Sequence, residues 1–357
     1  MAMQSDLIKR IGLQWPIFQA PMAGVGSPAM AAAVSNAGGL GALGIGAASV
    51  DQAREMIRDT RAATDNPFNV NVFCHKPAQS NAKVETDWLT RMAPLFEQFS
   101  AAPPTALHEI YRSFQVDPDM LEMLLEERPA VVSFHFGLPP TETIAALREA
   151  GIVLLASATS LAEAKTVQTA GLDGVVAQGW EAGGHRGIFD PDALDGKLTA
   201  LELTRILVER LDMPVITAGG VMNGAGIAEA LSAGAAAAQL GTAFIDCPES
   251  LADAAYRTAL RSPAANETTM LAEISGRPAR CLTNEFTRWA AQQGGVGTPD
   301  YPIAYDAGKA LNAAAKSVGE TGYGAQWAGQ GAPRARCLPA SELVEVLVRE
   351  LEAELAV

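Results

Sequence analysis

The segment from Gln178 to Gly187 holds the residue types best suited to catalysis, a histidine and an arginine set among glycines. A histidine can accept or donate a proton near neutral pH, and glycines let the backbone come close to a ligand. The alternative is a surface loop in which His185 has no chemical role. Because the segment directly follows a short apolar run, the pattern favours His185 as a catalytic residue at the end of a buried strand.

Three glycine-containing turns follow other apolar runs and suit a flat or phosphorylated ligand. They are Ala20–Gly26, Ala218–Val221 and Gln239–Thr242. In parallel barrels, the loops after the last two strands commonly bind phosphate through backbone N–H groups and a nearby helix N-terminus. Ordinary tight turns contain the same glycines, so each turn alone is weak support. Two such turns after the seventh and eighth predicted strands indicate a phosphate site that includes the Thr242 hydroxyl.

Other polar side chains lie at strand ends or recur at helical spacing. Asn71 is inside a predicted strand, and its side chain either hydrogen-bonds a cofactor or caps the end of the strand. His135 ends another strand, as a hydrogen-bonded core histidine or a substrate contact. A third group recurs every fourth residue and would share one helix face. Such stripes usually serve packing, but two phenols and an ammonium also suit a ring edge or an anion: Tyr301, Tyr305 and Lys309.

Eight short apolar runs predict the strands that would position these residues. Each run is apolar on both faces, as expected of parallel strands covered by helices. Segments of helical spacing, such as Val50–Ala63 and Leu161–Ala170, lie between them. The sequence therefore predicts an α/β fold, a (β/α)8 TIM barrel, with an open doubly wound sheet as the alternative. The predicted strands are Trp15–Ala20, Gly39–Leu43, Phe68–Phe73, Ala130–Phe136, Ile152–Ala156, Gly174–Gln178, Pro214–Ala218 and Ala235–Leu240.

Two stretches break this alternation, and each has helical patches but no convincing barrel strand. We predict that residues 76–124 and 251–357 form a second, mostly helical domain that covers the barrel mouth and the substrate. Residues 1–75 and 125–250 would then form the cofactor-binding barrel.

The composition excludes several kinds of partner. A net charge of −14 argues against nucleic acid and against an anionic membrane surface. The sequence contains no apolar stretch long enough to span a bilayer and no signal-peptide pattern, so we expect a soluble, cytoplasmic protein. The four cysteines are far apart and only four histidines occur, so we expect free buried thiols and no metal site.

Together these residues resemble the nitronate monooxygenases, formerly called 2-nitropropane dioxygenases, and specifically their bacterial class I. The resemblance covers essentially the whole chain. The segments around His185 and Tyr301 are highly specific as a pair, whereas the flavin loops alone would fit several related flavoproteins. The matching motifs are Gln19–Met22, Asn69–His75, Ser133–Gly137, Ala177–Gly187, Gln239–Phe244, Tyr301–Lys309 and Gln326–Gly331.

The resemblance implies a non-covalent FMN at the barrel mouth. It also implies oxidative denitrification of alkyl nitronates, such as propionate 3-nitronate, by O2 through an anionic flavin semiquinone. His185 would act beside the flavin as a general base or as an electrostatic anchor. The substrate side would be lined by Tyr111, His135, Tyr301, Tyr305 and Lys309. The flavin would contact Ala20, Met22, Asn71, Gln178, Gly183, Gly219, Gly220, Gln239, Gly241 and Thr242.

Two other functions stay open on the sequence alone. One is an FMN-dependent NAD(P)H:quinone or enoyl reductase on the same barrel. No independent Gly-x-Gly-x-x-Gly βαβ fingerprint is placed to supply a nicotinamide site, but flavin barrels can bind NADH without one. The other is a non-catalytic flavin-binding or ligand-sensing barrel, against which the position of His185 argues. We expect small-molecule partners only, a nitronate and O2, and a monomer or homodimer.

Overall fold

The fold is built on a closed ring of eight parallel strands. The computed structural model describes residues 5–294 and 297–356. All strands are numbered in chain order, and β7, β10 and β11 lie outside the ring and are described below. The ring consists of β1 Ile17–Gln19, β2 Gly41–Gly44, β3 Phe68–Phe73, β4 Val131–His135, β5 Val153–Ala158, β6 Gly174–Gln178, β8 Val215–Ala218 and β9 Ala237–Leu240. They pair in the order β1-β9-β8-β6-β5-β4-β3-β2. A parallel bridge from Phe18 to Leu40 joins the two ends of that order. The predicted TIM barrel is therefore confirmed, and every predicted strand overlaps an observed one.

Side-chain caps start several of the helices that surround the ring. Ser27 accepts a hydrogen bond from the Met30 N–H and is followed by proline at the first helical position. Ser49 and Gln52 form a reciprocal capping box on the next helix. The helices of this layer are α2 Pro28–Asn36, α3 Val50–Ala63, α5 Pro118–Glu127, α6 Thr141–Glu149, α7 Leu161–Thr169, α8 Ala200–Arg210, α9 Gly224–Ser232 and α13 Ala340–Leu355.

Two of these helices fall partly or wholly within the residues that we predicted for the covering domain. α5 begins before residue 125 and packs between α3 and α6. α13 packs against α2 and α9, although we predicted that it belongs to the covering domain. Its apolar face, which includes Leu343 and Leu347, joins one buried cluster with Ile227 of α9 and Met30 of α2. We therefore propose that both helices belong to the barrel, because each buries its apolar face there.

The covering unit combines helices with a small sheet. Its helices are α4 Ala82–Glu97, α10 Ala254–Leu260, α11 Glu285–Gln292 and α12 Ile303–Ser317. Trp88 of α4, Phe286 of α11 and Leu311 of α12 share one buried cluster. The antiparallel sheet, ordered β10-β11-β7, contains β7 Gly184–His185, β10 Thr268–Leu271 and β11 Ala279–Leu282. This sheet joins the segment that contains His185 to the covering unit.

The remaining short helix, α1 Asp6–Ile11, contributes to the interior of the barrel. Leu7 and Ile8 are buried in one cluster with strand residues such as Leu155 and Ile216. Within the described residues, no helix has the length and apolar character needed to cross a membrane.

The four cysteines are free thiols, as we predicted. Cys74, Cys247 and Cys281 are buried, but Cys337 is exposed, so the prediction of burial is wrong for that residue. Cys337 lies in the loop that leads into α13, where its sulfur is 3.0 Å from the Arg261 guanidinium.

Candidate active site

A cavity of about 950 Å³ lies at the carboxyl ends of the barrel strands. Residues at or just after those ends form most of its wall, as expected for a barrel enzyme. All of the predicted site residues except Tyr301 line it, although their roles stay predictions. Those residues are Ala20, Met22, Asn71, Tyr111, His135, Gln178, Gly183, His185, Gly219, Gly220, Gln239, Gly241, Thr242, Tyr305 and Lys309.

The turns after β8 and β9 form one wall with unused hydrogen-bond donors. Gly219 and Gly220 both have positive φ angles, +119° and +71°. Neither their amides nor those of Gly241 and Thr242 donate to an acceptor in the described part of the chain. The Thr242 Oγ1 accepts a 3.0 Å bond from a backbone amide, so its own proton is free to donate. This donor set fits a phosphate group.

Asn71 presents a polar atom from the opposite side of the barrel. Its Nδ2 donates to the carbonyl and hydroxyl oxygens of Ser133, at 3.0 Å and 2.9 Å. No described residue donates to its Oδ1. The amide is therefore oriented by the neighbouring strand, and its oxygen can accept a hydrogen bond from a ring N–H. The residues present thus fit both ends of a flavin mononucleotide.

Gln178 and Arg186 hold the segment that carries His185. The Gln178 side chain donates to the His185 carbonyl at 3.0 Å and accepts from the Gly187 amide at 2.7 Å. Arg186 is buried, donates to the Gln178 carbonyl and forms a two-point ion pair with Asp195, at 2.7 Å and 3.0 Å. β7 also pairs with β11. The segment is therefore a braced part of the structure and not a free surface loop.

The imidazole of His185 lies between aromatic rings and one hydroxyl group. Its ring centroid is 4.9 Å from that of Trp327 and 5.2 Å from that of Tyr301. Its Nε2 lies 2.9 Å from the Ser275 Oγ. Its Nδ1 has no hydrogen-bond partner among the described residues. Nδ1 is therefore the ring nitrogen that is available to a ligand in the cavity.

The Ser275 hydroxyl can set the tautomer of His185 in two ways. Its single proton has two acceptors within reach, the Arg277 carbonyl at 3.2 Å and the His185 Nε2. If the proton points to Arg277, Nε2 carries a hydrogen and Nδ1 has a free lone pair. If it points to Nε2, Nδ1 carries the hydrogen and can donate it. The first arrangement suits a general base, and the second suits an anchor for an anion.

Burial keeps the two histidines of the cavity uncharged. It lowers the pKa of His185 to about 3, with further repulsion from His135, Arg277 and His75. Burial also lowers the pKa of His135 to about 4. Both ring nitrogens of His135 are engaged, one with the Ser157 Oγ at 3.0 Å and one with the His185 carbonyl at 3.2 Å. His135 is thus a hydrogen-bonded core histidine that also forms part of the cavity wall.

The predicted polar stripe is only partly at the cavity. Tyr305 and Lys309 lie on α12, and the Lys309 ammonium is 4.7 Å from the ring centroid of Tyr111 and 5.3 Å from that of Tyr305. Burial raises the pKa of Tyr305 to about 12 and lowers the pKa of Lys309. Tyr301 precedes the helix, is buried and is absent from the cavity wall, because its ring packs behind His185.

Several residues at the site were not found from the sequence. Ser275 and Trp327 lie outside the barrel loops; no local pattern distinguishes Ser275, and Trp327 lies in the motif Gln326–Gly331 but was not predicted as a site residue. Phe136 follows His135 with a positive φ of +72°, which is unusual for a bulky residue. Its ring lies 5.6 Å from that of His185. Phe136 belongs to the motif Ser133–Gly137, but it was not predicted as a site residue because its side chain, unlike that of His135, is apolar.

Comparison with known proteins identifies the family. The family model described as nitronate monooxygenase matches residues 4–350. A nitronate monooxygenase of Paraburkholderia phytofirmans is 60% identical over 97% of this chain and 94% of the relative. One from Pseudomonas aeruginosa is 52% identical over 98% of this chain and 99% of the relative.

Solved structures show the same similarity. The chain matches a nitroalkane oxidase from Streptomyces ansochromogenes with a TM-score of 0.88 and 40% identity, covering 99% of both chains. It matches FabK from Thermotoga maritima with a TM-score of 0.75 and 28% identity, covering 98% of this chain and 96% of the other. A full-length family match, close relatives and a shared barrel agree with the site geometry. The chain therefore belongs to the nitronate monooxygenases, a family of flavin-dependent oxidoreductases.

Proposed function

We propose that this protein is an FMN-dependent nitronate monooxygenase that oxidises alkyl nitronates with O2. The observation that carries the proposal is the uncharged imidazole of His185, whose Nδ1 is free at a cavity that also contains the Lys309 ammonium. A nitronate is a delocalised anion, so it suits a site with hydrogen-bonding groups and a lysine, Lys309, that forms no ion pair with any described residue. Propionate 3-nitronate is one substrate of this class.

The donor set described above supports an orientation of the cofactor in which each end meets suitable groups. The amides of Gly219, Gly220 and Gly241, with the Thr242 hydroxyl, would hold the phosphate, and the Asn71 Oδ1 would face the ring edge. FMN, when bound, supplies the redox centre that accepts electrons from the nitronate and delivers them to O2. The chain itself supplies binding, orientation and charge.

His185 would contact the substrate through Nδ1. With Nδ1 protonated, it donates a hydrogen bond to a nitronate oxygen and holds the anion. With Nδ1 unprotonated, it can take a proton from a neutral nitroalkane. Ser275 permits both states, because its hydroxyl can donate to or accept from Nε2. The low pKa of His185 favours the uncharged ring in either role.

Lys309 would attract the anion, and the phenols beside it would stay neutral. Burial raises the pKa of Tyr111 and of Tyr305, so neither ring adds a negative charge at neutral pH. The ammonium therefore keeps its attraction for a nitronate or for a carboxylate at the far end of the substrate.

Oxygen uptake by the purified holoenzyme tests the proposal. We expect uptake with propionate 3-nitronate in the absence of NADH, and FMN as the flavin released on denaturation. We also expect NADH without oxygen to leave the flavin absorbance unchanged. Rapid bleaching by NADH, with no uptake on adding a nitronate, would instead establish the reductase alternative.

A further inference from the structure

Arg277 is a buried cation that has no carboxylate partner among the described residues. It lies between β10 and β11, with 3% of its surface exposed. One terminal nitrogen donates to the carbonyls of Ile188 and Phe189, and its Nε has no hydrogen-bond partner. The described part of the chain places no carboxylate oxygen within 4.0 Å of it. An unpaired charge costs free energy when it is taken out of water, so its retention here points to a role beyond stability.

Two of the three carboxylates that attract Arg277 also accept hydrogen bonds from other groups. Attraction from Asp190, Glu163 and Asp192 acts on Arg277 only at longer range. The Glu163 carboxylate accepts hydrogen bonds from the amide and hydroxyl of Thr159 and from a backbone amide. Asp190 accepts from the backbone amide of Asp192. The charge of Arg277 is therefore only partly neutralised by these groups.

Arg277 lies directly behind the histidines of the cavity. Its guanidinium carbon is 4.6 Å from the ring centroid of Phe136. The centroid of the same ring lies 4.5 Å from that of His135 and 5.6 Å from that of His185. The Arg277 carbonyl also lies 3.2 Å from the Ser275 Oγ, which contacts His185. Arg277 and Phe136 are both buried, so the field of the cation is weakly screened by solvent.

We propose that Arg277 is a positioning residue that acts by its charge. Its charge adds to burial in opposing protonation of the cavity histidines, and it draws a small anion to the site without touching it. Two further observations support this role. Arg277 repels the protonated forms of His75, His135 and His185 and so contributes to the low pKa of each. The chain as a whole carries −14, so an anion needs a local source of positive potential.

Other groups around these histidines do not supply the same field. Tyr111, Tyr301 and Tyr305 are neutral phenols, because burial raises the pKa of each. Lys309 lies beside two of these phenols on the opposite, substrate side. Arg186 acts on His135, but its charge is paired with Asp195.

Histidine titration by NMR tests the inference, because the chain has only four histidines. We would label the holoenzyme with ¹⁵N-histidine and compare the wild type with Arg277→Met and Arg277→Lys from pH 2.5 to 8, a range that includes the low midpoint of His185. In Arg277→Met we expect His185 to titrate about one pH unit higher, as for the loss of one weakly screened charge. Arg277→Lys should restore most of the wild-type midpoint. His108, which is exposed, should not move in any variant.

Arg280→Met is the matched control. Arg280 is buried to the same extent and comes from the same segment, but its guanidinium stacks on Trp180 and bonds the Trp180 carbonyl. We expect this variant to leave the His185 midpoint unchanged, even if it lowers thermal stability as much as Arg277→Met. An equal shift in both methionine variants, or in neither, would overturn the electrostatic role.

Nitrite, a small anion, probes the second part of the proposal. Followed on the same histidine signals, nitrite should bind about tenfold more weakly to Arg277→Met than to the wild type, and near-normally to Arg277→Lys. Equal affinity in the wild type and the methionine variant would contradict the inference. The nitrite experiment depends on the proposed function only because that function suggested a small anion as the probe. If the wild type fails to oxidise nitronates while these shifts occur, the proposed function is wrong and the role of Arg277 stands.

Discussion

The Ser275 hydroxyl lies 2.9 Å from the Nε2 of His185, although 90 residues separate the two in the chain. This contact leaves Nδ1 as the only ring nitrogen open to the cavity. Ser275 is buried and also bonds the Arg277 backbone, so its position is well defined.

Removing this hydroxyl should therefore slow turnover without releasing the cofactor. We expect Ser275→Ala to lower kcat with propionate 3-nitronate by up to about tenfold, the kinetic equivalent of one lost hydrogen bond. Steady-state kinetics and flavin content would measure the effect. Ser157→Ala, which removes the hydroxyl beside His135, is the control. If both variants lose activity equally, the contact with His185 has no special role.

Replacement of His185 by asparagine should separate its two proposed roles. Asparagine keeps a hydrogen-bonding group but has no titratable nitrogen. We expect retained FMN, near-normal thermal stability, and a loss of activity on neutral nitroalkanes of roughly 10²–10⁴-fold. Activity on a preformed nitronate should fall less, since that substrate needs no deprotonation. A parallel loss on both substrates would assign His185 as an anchor, and no loss on either would refute its role.

A methyl group at Gly220 should weaken FMN binding. The φ of +71° is strained for any other residue, and an added Cβ would lie 3.3 Å from the Glu181 Cβ, so the turn must shift. We expect a clear rise in the FMN dissociation constant of Gly220→Ala, measured by fluorescence after flavin removal. Gly151→Ala is matched in backbone strain, with φ +82° and no atom within 4 Å of the new Cβ. Weakened FMN binding in both variants would exclude a local effect at the phosphate turn.

Lys309→Met should affect substrates according to their charge. The ammonium is not ion-paired among the described residues, and burial lowers its pKa. We expect KM to rise roughly tenfold for propionate 3-nitronate, and less for a nitronate without a carboxylate. Lys316 also lines the cavity but pairs with Asp253 at 2.5 Å, so Lys316→Met should have a much smaller effect. Equal KM changes for both substrates would show that Lys309 does not recognise the carboxylate.

The free energy of unfolding should decrease as the pH is lowered, and part of this decrease should come from His75. Burial, with repulsion from Arg277, lowers the pKa of His75 from 6.5 to about 4. Between these values the unfolded chain binds a proton that the native protein does not, so the free energy of unfolding decreases as pH falls. His75→Phe should reduce the decrease between pH 6.5 and 5 by about 2 kcal/mol. Urea unfolding at the two pH values would measure this, with His108→Phe as the control. An unchanged pH dependence in His75→Phe would contradict the buried, uncharged state of His75.

The sequence by itself determined the barrel and most of the cavity wall. Each buried parallel strand is a local apolar run, and the residues that end it are neighbours in the chain. Parallel strands bring their carboxyl ends to one edge of the ring. Asn71, Gln178 and Gln239 could therefore be assigned to one site without knowledge of any long-range contact, and His185 followed from its glycine-rich segment after β6.

The tertiary structure alone decided what surrounds His185. Ser275 reaches it because β7 pairs with β11, and Arg277 lies behind it in the same covering unit. Tyr301 packs behind the histidine instead of lining the cavity, since the helix begins only after it. α13 returns to the barrel because its apolar face fits α2 and α9. These contacts join segments far apart in the chain, and local periodicity carries no information about which distant surfaces will meet.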